Sequence, residues 1–338
     1  MAKRSCAPWA TGAWRKELAD VVTDVEELLQ LLDLGERSPI TTPSALRRFP
    51  LRVPRAFVNR MRPGDPADPL LRQVLPVAQE DEPMHAFTAD PVGELASPPV
   101  DSVLQKYQGR ALVMVTGACA IHCRYCFRRH FPYAELGSAS PQWDGAVDRI
   151  ASDPAISEVI LSGGDPLAVT DSLLEVLGRK LAALPQLKRL RVHTRMPIVL
   201  PRRVDGALTS WIGSLGLPVV VVVHANHANE IDDEVRRALA ALAATGVTLF
   251  NQAVLLAGVN DSVDALTDLS EALFDTGVLP YYLHMLDPVS GAAHFEVSGE
   301  EAKRLHHELT SRRPGYLVPK LVREVPGAPA KVGVDLWR

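Results

Sequence analysis

The stretch Cys119-Ala-Ile-His-Cys123-Arg-Tyr-Cys126 carries three of the four cysteines of the chain within eight residues, and the fourth, Cys6, lies far upstream. Three thiolates on one short loop can ligate three irons of a four-iron, four-sulfur cluster. The fourth iron then keeps an open position, able to bind a small molecule through an amine and a carboxylate.

Other uses of these cysteines fit less well. A structural zinc site takes four ligands, usually as two separated pairs. Here only His122 or His130 is near enough in sequence to complete one, and the spacing matches no common zinc module. A disulfide would leave an odd thiol and require an oxidising compartment. An open-site cluster is also what cleavage of S-adenosylmethionine into a radical needs. The CxxxCxxC spacing, with Tyr125 just before the last cysteine, resembles the radical S-adenosylmethionine superfamily.

Length and composition set the frame. The chain has 338 residues, 47% of them hydrophobic, enough for a sizeable core in one or two domains. A net charge of −4 gives no reason to expect a nucleic acid or a membrane surface as partner. The first residues, MAKRSCAPWATGAW, are basic, but no apolar run follows, which argues against a signal peptide. No stretch has the length and apolarity of a membrane span. The expectation is a cytoplasmic protein, whose reducing surroundings suit free thiolates.

Around the cysteine loop the chain falls into three parts. Residues 14–32 carry Trp14, Leu18, Val21, Val22, Val25, Leu28, Leu29 and Leu32 at helical spacing, which predicts one packing helix. Residues 49–100 are proline-rich and predict short helices broken by turns, draped over a larger body. From residue 110, apolar runs at 111–115, 159–162, 190–193, 218–223, 247–256 and 281–286 alternate with helical segments such as 171–184, 230–245 and 264–275. Continuous apolar strands between helices imply parallel βαβ units. Six units are too few for a closed eight-unit barrel and predict an α/β fold that is an incomplete, open (β/α)6 barrel. The cysteine loop follows the first strand, where barrels carry their chemistry.

The other strand ends are chemically marked. Leu161-Ser162-Gly163-Gly164-Asp165-Pro166-Leu167 follows the second strand, and two glycines there let the backbone approach a ligand. His193-Thr-Arg195 ends the third strand and His224-Ala-Asn226-His227 the fourth. Asn251 and Gln252 lie within the fifth as polar groups needing partners, and the sixth ends in Asp287. Near the C-terminus, a strand-like run at 317–325 precedes a Pro-Gly-Ala-Pro-Ala turn that presents Lys331. Alone, that lysine reads as a surface residue. Curled over an open barrel mouth, it is placed to form a Schiff base with pyridoxal phosphate.

Taken together, FPLRVP, VLPVAQE, CAIHCRYCFRRHFPY, LSGGDPL, HTRMPIVLP, HANHANE, NQAVLLAGVND, PYYLHMLDPVSGAAHF and GYLVPKLVREVPGAPAK resemble the lysine 2,3-aminomutase family. The likeness spans about residues 49–331 and is nearest to the short branch that supplies β-lysine for modifying elongation factor P. The resemblance implies that Cys119, Cys123 and Cys126 bind a [4Fe-4S] cluster. It implies that Gly163, Gly164, Asp165, His224 and Gln252 line the S-adenosylmethionine site. Lys331 would carry pyridoxal phosphate, Arg110 would hold the cofactor phosphate, and Tyr107 would lie nearby. Arg128 would pair with the carboxylate of the substrate L-lysine, and Asp287 and Glu324 would face its far ammonium. The reaction implied is isomerisation of L-α-lysine to β-lysine, (R)-β-lysine in that branch, through a 5′-deoxyadenosyl radical. A donor such as flavodoxin or ferredoxin would supply the electron, and the elongation factor P ligase pathway would take the product.

The resemblance also implies a division into an N-terminal helical and proline-rich extension (1–105), a radical S-adenosylmethionine core (106–290) and a C-terminal segment (291–338) closing the barrel mouth. The long clostridial type has an aspartate where Glu324 stands and a cysteine-bearing zinc tail beyond the point where this sequence ends, so zinc is not expected. Three alternatives stay open: an aminomutase of the same family for another amino acid, a radical enzyme without pyridoxal phosphate, and a non-enzymatic iron–sulfur electron carrier.

Overall fold

The computed structural model describes residues 11–35, 39, 41–95, 101–133 and 143–334; Cys6 lies outside the described residues. The chain opens with short helices α1 (Trp14–Ala19), α2 (Val25–Leu31), α3 (Pro43–Arg48), α4 (Arg55–Val58) and α5 (Pro69–Arg72). The single helix expected over 14–32 is thus two. Val22 leaves the helix to pair with Val53, their backbones exchanging N–H···O bonds of 2.8 and 2.9 Å. The adjacent β-branched pair Val21-Val22 favours extended backbone. Asp24 then restarts the helix, its side chain accepting from the Glu27 N–H at 2.9 Å.

A nine-stranded sheet in sequential order follows. β1 (Val103–Leu104) pairs antiparallel with β2 (Arg110–Thr116). From β2 the sheet runs parallel through β3 (Glu158–Gly163), β4 (Arg189–Thr194), β5 (Val219–Val223), β6 (Thr248–Val254), β7 (Leu279–His284) and β8 (Lys320–Arg323). β9 (Val332–Gly333) folds back antiparallel on β8. The helices on the crossovers are α6 (Asp144–Ala151), α7 (Asp171–Ala182), the short α8 (Met196–Val199) with α9 (Gly206–Ser214), α10 (Asp233–Ala243), α11 (Val263–Phe274) and α12 (Gly299–Arg312). These make the six βα units expected, and the C-terminal segment adds β8 as a seventh parallel strand. The sheet does not close: β1 and β9 are its two ends.

The strands read as the fold requires. In β5 the run of five valines is buried except for one intermediate position, as in a parallel strand covered on both faces. One apolar cluster runs continuously from Trp14 on α1 to Leu321 on β8, so the N-terminal helices and the C-terminal strand share the core of the barrel. Among the described residues no helix is long and apolar enough to cross a membrane.

Candidate active site

The cysteine loop after β2 has no regular structure of its own and is shaped by the proline-rich segment beneath it. The His122 N–H donates to Arg52 O and the Arg124 N–H to Gln73 O, both at 2.9 Å. Arg52 Nε returns a bond to Cys119 O at 2.9 Å. Fully buried Arg124 reaches from the loop to Glu80, Nε to Oε1 at 2.8 Å, and Arg129 joins the same carboxylate. A buried carboxylate shared by two guanidiniums is strongly bound, and losing any partner strands a charge. The proline-rich segment 49–100 therefore packs against the cysteine loop and braces it. His122 and His130 are both engaged by main chain, His122 Nδ1 at Pro50 O (2.8 Å) and His130 Nε2 at Ser290 O (3.0 Å).

One cavity of about 500 Å³ opens at the C-terminal ends of the strands. Every residue given a role by the family resemblance lines it: Cys119, Cys123 and Cys126, with Gly163, Gly164, Asp165, His224 and Gln252; Tyr107, Arg110 and Arg128; and Asp287, Glu324 and Lys331; of the other marked strand residues, Asn226, His227 and Asn251 do not. The thiol triplet and the C-terminal lysine thus face one chamber. Among the described residues no three His, Cys, Asp or Glu side chains gather as tightly as ligands of a single ion. A cluster, whose irons stand apart, spaces its thiolates more widely.

Lys331 Nζ donates to Glu324 Oε2 at 2.8 Å and lies 5.8 Å from the centre of the Tyr282 ring. The Tyr107 hydroxyl donates to the other oxygen of Glu324. Burial pushes the Asp287 carboxyl up to about 7, against the lowering influence of the Lys331 cation. Burial also lowers His224 to about 3 and holds His193 and His284 well below the ordinary histidine value, so all three rings are neutral. The positive charge of Lys331 adds to each of these three shifts. Arg110 stacks over the Tyr107 ring at 4.9 Å, and no carboxylate among the described residues pairs with it.

Four residues, Arg128, Asp165, Gly163 and Gly164, already have close partners within the chain. The fork of Arg128 is already filled, Nε on Glu94 Oε2 at 2.7 Å and Nη2 on Glu94 Oε1 at 2.8 Å, with Nη1 on Ser162 Oγ and Gly163 O. Asp165 lines the cavity, but its oxygens accept from the Leu167, Arg195 and Met196 N–H groups and from the Thr194 hydroxyl. It clamps the end of β4 onto the end of β3. The glycines meet a close approach within the chain: a Cβ on Gly163 or Gly164 would lie 2.4 Å from Thr116 O or Ala118 O respectively. Gly163, at φ +116°, also holds a conformation that favours glycine.

Sequence reasoning missed Glu94, an isolated glutamate in the proline-rich part. His193 is marked in the sequence only as a strand-end residue and His284 only as part of a longer motif, yet their Nε2 atoms are buried with no hydrogen-bond partner among the described residues. Orphan polar atoms in a cavity wall suit a ligand that brings the missing partners. The cavity also fits the groups named in the sequence reading. A phosphate finds an unneutralised guanidinium in Arg110 and an aldehyde finds the Lys331 amine. Burial raises the Cys119 thiol, and Cys126 to about 11, so ionising them falls to bound iron.

Comparison with known proteins agrees with this arrangement. A family model described as a 4Fe-4S single cluster domain matches residues 108–193, which contain the cysteine loop and the Gly-Gly-Asp turn. L-lysine 2,3-aminomutase of Escherichia coli is 50% identical over 324 residues, covering 96% of this chain and 94% of its own. The protein of the same name from Haemophilus influenzae is 45% identical, covering 94% of each chain. That of Clostridium subterminale is 33% identical, covering 95% of this chain and 77% of its own. The chain therefore belongs to the lysine 2,3-aminomutase family of radical S-adenosylmethionine isomerases, enzymes that work with a four-iron, four-sulfur cluster, S-adenosylmethionine and pyridoxal phosphate.

Proposed function

We propose that this chain isomerises L-α-lysine to β-lysine in the cavity between the cysteine loop and Lys331. The observation that carries the reading is that one chamber of about 500 Å³ brings together the three thiols of the cysteine loop, the Lys331 amine and the carboxylates of Asp287 and Glu324, the set this reaction requires. The bound groups supply a hydrogen-abstracting radical and a ring that delocalises an unpaired electron.

The residues divide the work. Cys119, Cys123 and Cys126 ligate the cluster, and Gly163, Gly164, His224 and Gln252 border the S-adenosylmethionine beside it. Gln252 Nε2 lies 2.8 Å from His224 Nε2, which fixes the imidazole plane. Asp165 acts through the backbone it clamps. Lys331 anchors pyridoxal phosphate and Arg110 its phosphate, with Tyr107 holding Glu324 in place. A Lys331 nitrogen engaged by pyridoxal phosphate would no longer pair with Glu324 as an ammonium. Glu324 and Asp287 are then free to hold the far ammonium of lysine. Arg128 takes the substrate carboxylate in competition with Glu94. The walls hold the reacting groups close and keep oxygen and other hydrogen donors away from the radical.

We also propose that a reduced flavodoxin or ferredoxin delivers the electron and that (R)-β-lysine is destined for elongation factor P. The support is the closeness of CRYCFRRHFPY and YYLHMLDPVSGAAHF to that branch. An aminomutase for an acidic amino acid is disfavoured by Asp287 beside Glu324, since two carboxylates repel a third.

The deciding experiment reconstitutes the protein anaerobically with iron, sulfide and pyridoxal phosphate. It then supplies S-adenosylmethionine, dithionite and L-lysine, and separates α- from β-lysine. Formation of β-lysine, with 5′-deoxyadenosine detectable in the mixture, is the expected result. Absence of β-lysine from protein that carries its iron sinks the proposal. In Lys331→Ala the borohydride-sensitive absorbance of bound pyridoxal phosphate should vanish; its persistence would remove Lys331 from the role.

A further inference from the structure

Arg195, at the end of β4, is 5% exposed and is gripped from three directions. Nη1 donates to Cys123 Sγ at 2.6 Å and to the Tyr125 hydroxyl at 2.7 Å. Nη2 donates to Gln73 Oε1 at 2.7 Å and to Glu230 Oε2 at 2.9 Å. Glu230 is fully buried, and its other oxygen accepts from the Asn226 and His227 N–H groups and from Gln73 Nε2. The guanidinium therefore has one edge on a sulfur of the cysteine triplet and another on a carboxylate. The ion pair is a fixed dipole with its positive end at the sulfur. Nothing in the lysine or pyridoxal phosphate chemistry calls for a buried cation there.

We propose that Arg195 is a positioning residue for the iron–sulfur cluster: it orients the Cys123 thiolate and, with Glu230 as counterweight, sets the reduction potential of the cluster. The proposal rests on Cys119, Cys123 and Cys126 being the cluster ligands. Hydrogen bonds and charges at ligand sulfurs tune such potentials, because the reduced cluster carries one more negative charge than the oxidised one. A cation at the sulfur stabilises the reduced form and raises the potential. A carboxylate behind it works the other way. A cluster too easily reduced gives up its electron reluctantly, and one too hard to reduce is seldom loaded. The opposed pair holds the value between these limits. The planar guanidinium suits the task because it can bind sulfur, phenol, amide and carboxylate at once.

The test uses the full chain reconstituted anaerobically with iron and sulfide, without lysine or pyridoxal phosphate. Dithionite supplies one electron per cluster, being itself oxidised, and the EPR signal of the reduced cluster is followed against potential. Arg195→Gln is expected to shift the midpoint downward, Arg195→Lys to shift it less, and Glu230→Gln to shift it upward. Movement of the Arg195→Gln and Glu230→Gln midpoints in the same direction, or coincidence of both with the unsubstituted protein, overturns the proposal. Should Arg195→Gln fail to take up iron, the sign of the Glu230→Gln shift decides alone. Failure of the unsubstituted protein to load a cluster would instead refute the assignment of the three cysteines.

Discussion

Arg128 and Glu94 form a bidentate ion pair in the cavity wall, with side-chain exposures of only 8% and 5%. Burial alone would raise the Glu94 carboxyl, but the charge and hydrogen bonds of Arg128 overcome it and hold the group below its ordinary value. A carboxyl depressed on folding contributes stability above its unfolded value, and that contribution is lost as pH falls through the folded value. Arg128→Met strands Glu94, for which Lys106 at 3.5 Å is the remaining cation. The variant should unfold with a free energy lower by about 3 kcal/mol at neutral pH. Without Arg128, burial holds the Glu94 carboxyl up rather than down, so this deficit should shrink as pH falls instead of growing. Adding Glu94→Met should recover most of the loss. Guanidinium unfolding of the parent and the two variants from pH 4 to 8 checks this; a single variant as stable as the double one would mean that the pair is not the wall's support.

Gly164 gives a second prediction. A Cβ there would meet Ala118 O at 2.4 Å and the Gly117 carbonyl carbon at 2.7 Å, both backbone atoms just ahead of Cys119. Backbone cannot swing aside as a side-chain end can, so Gly164→Ala must displace the start of the cysteine loop at a cost of roughly 1–3 kcal/mol. Reconstituted iron per chain should drop while far-ultraviolet circular dichroism stays near that of the parent. Full iron content at unchanged stability would show that the loop tolerates the displacement.

The parts legible in the sequence are those that short-range pattern specifies. Cysteine spacing within eight residues, apolar strand runs and the turn ahead of Lys331 are all local signals, and each appears where it was expected. What escaped depends on residues brought together by the fold. Glu94 is unremarkable until Arg128, 34 residues on, reaches it. Arg195 stands in a visible strand-end motif, but its bond to Gln73 spans 122 residues. The break between α1 and α2 shows the same limit. Helical spacing continues through Val22, and only its pairing with Val53 reveals that the backbone there is extended. Asp165 and the two glycines line the cavity, but the hydrogen bonds and close approaches that shape their turn reach Thr116, Ala118, Thr194 and Arg195, and only the fold shows these.

Asp287 carries the last prediction. Burial raises its carboxyl from 3.8 to about 7, the nearby Lys331 cation opposing the change and Glu324 adding to it. A carboxyl raised on folding stabilises the protein fully below its unfolded value, and that contribution is lost as pH rises through about 7. Asn resembles the protonated form, so Asp287→Asn should match the parent in acid and exceed its stability above pH 7. Binding works in the other sense. To hold the far ammonium of lysine, Asp287 must be ionised, so lysine affinity of the loaded protein should weaken by up to about tenfold for each pH unit below the titration. In Asp287→Asn the affinity should be low throughout and nearly flat across the same range. Equilibrium lysine binding and unfolding free energy, measured on the same preparations, check both signs at once. An Asn variant that keeps the parent's pH dependence of lysine affinity would move the titrating group elsewhere, and Glu324, held below its ordinary value by Lys331 and Tyr107 despite burial, would be the residue to substitute next.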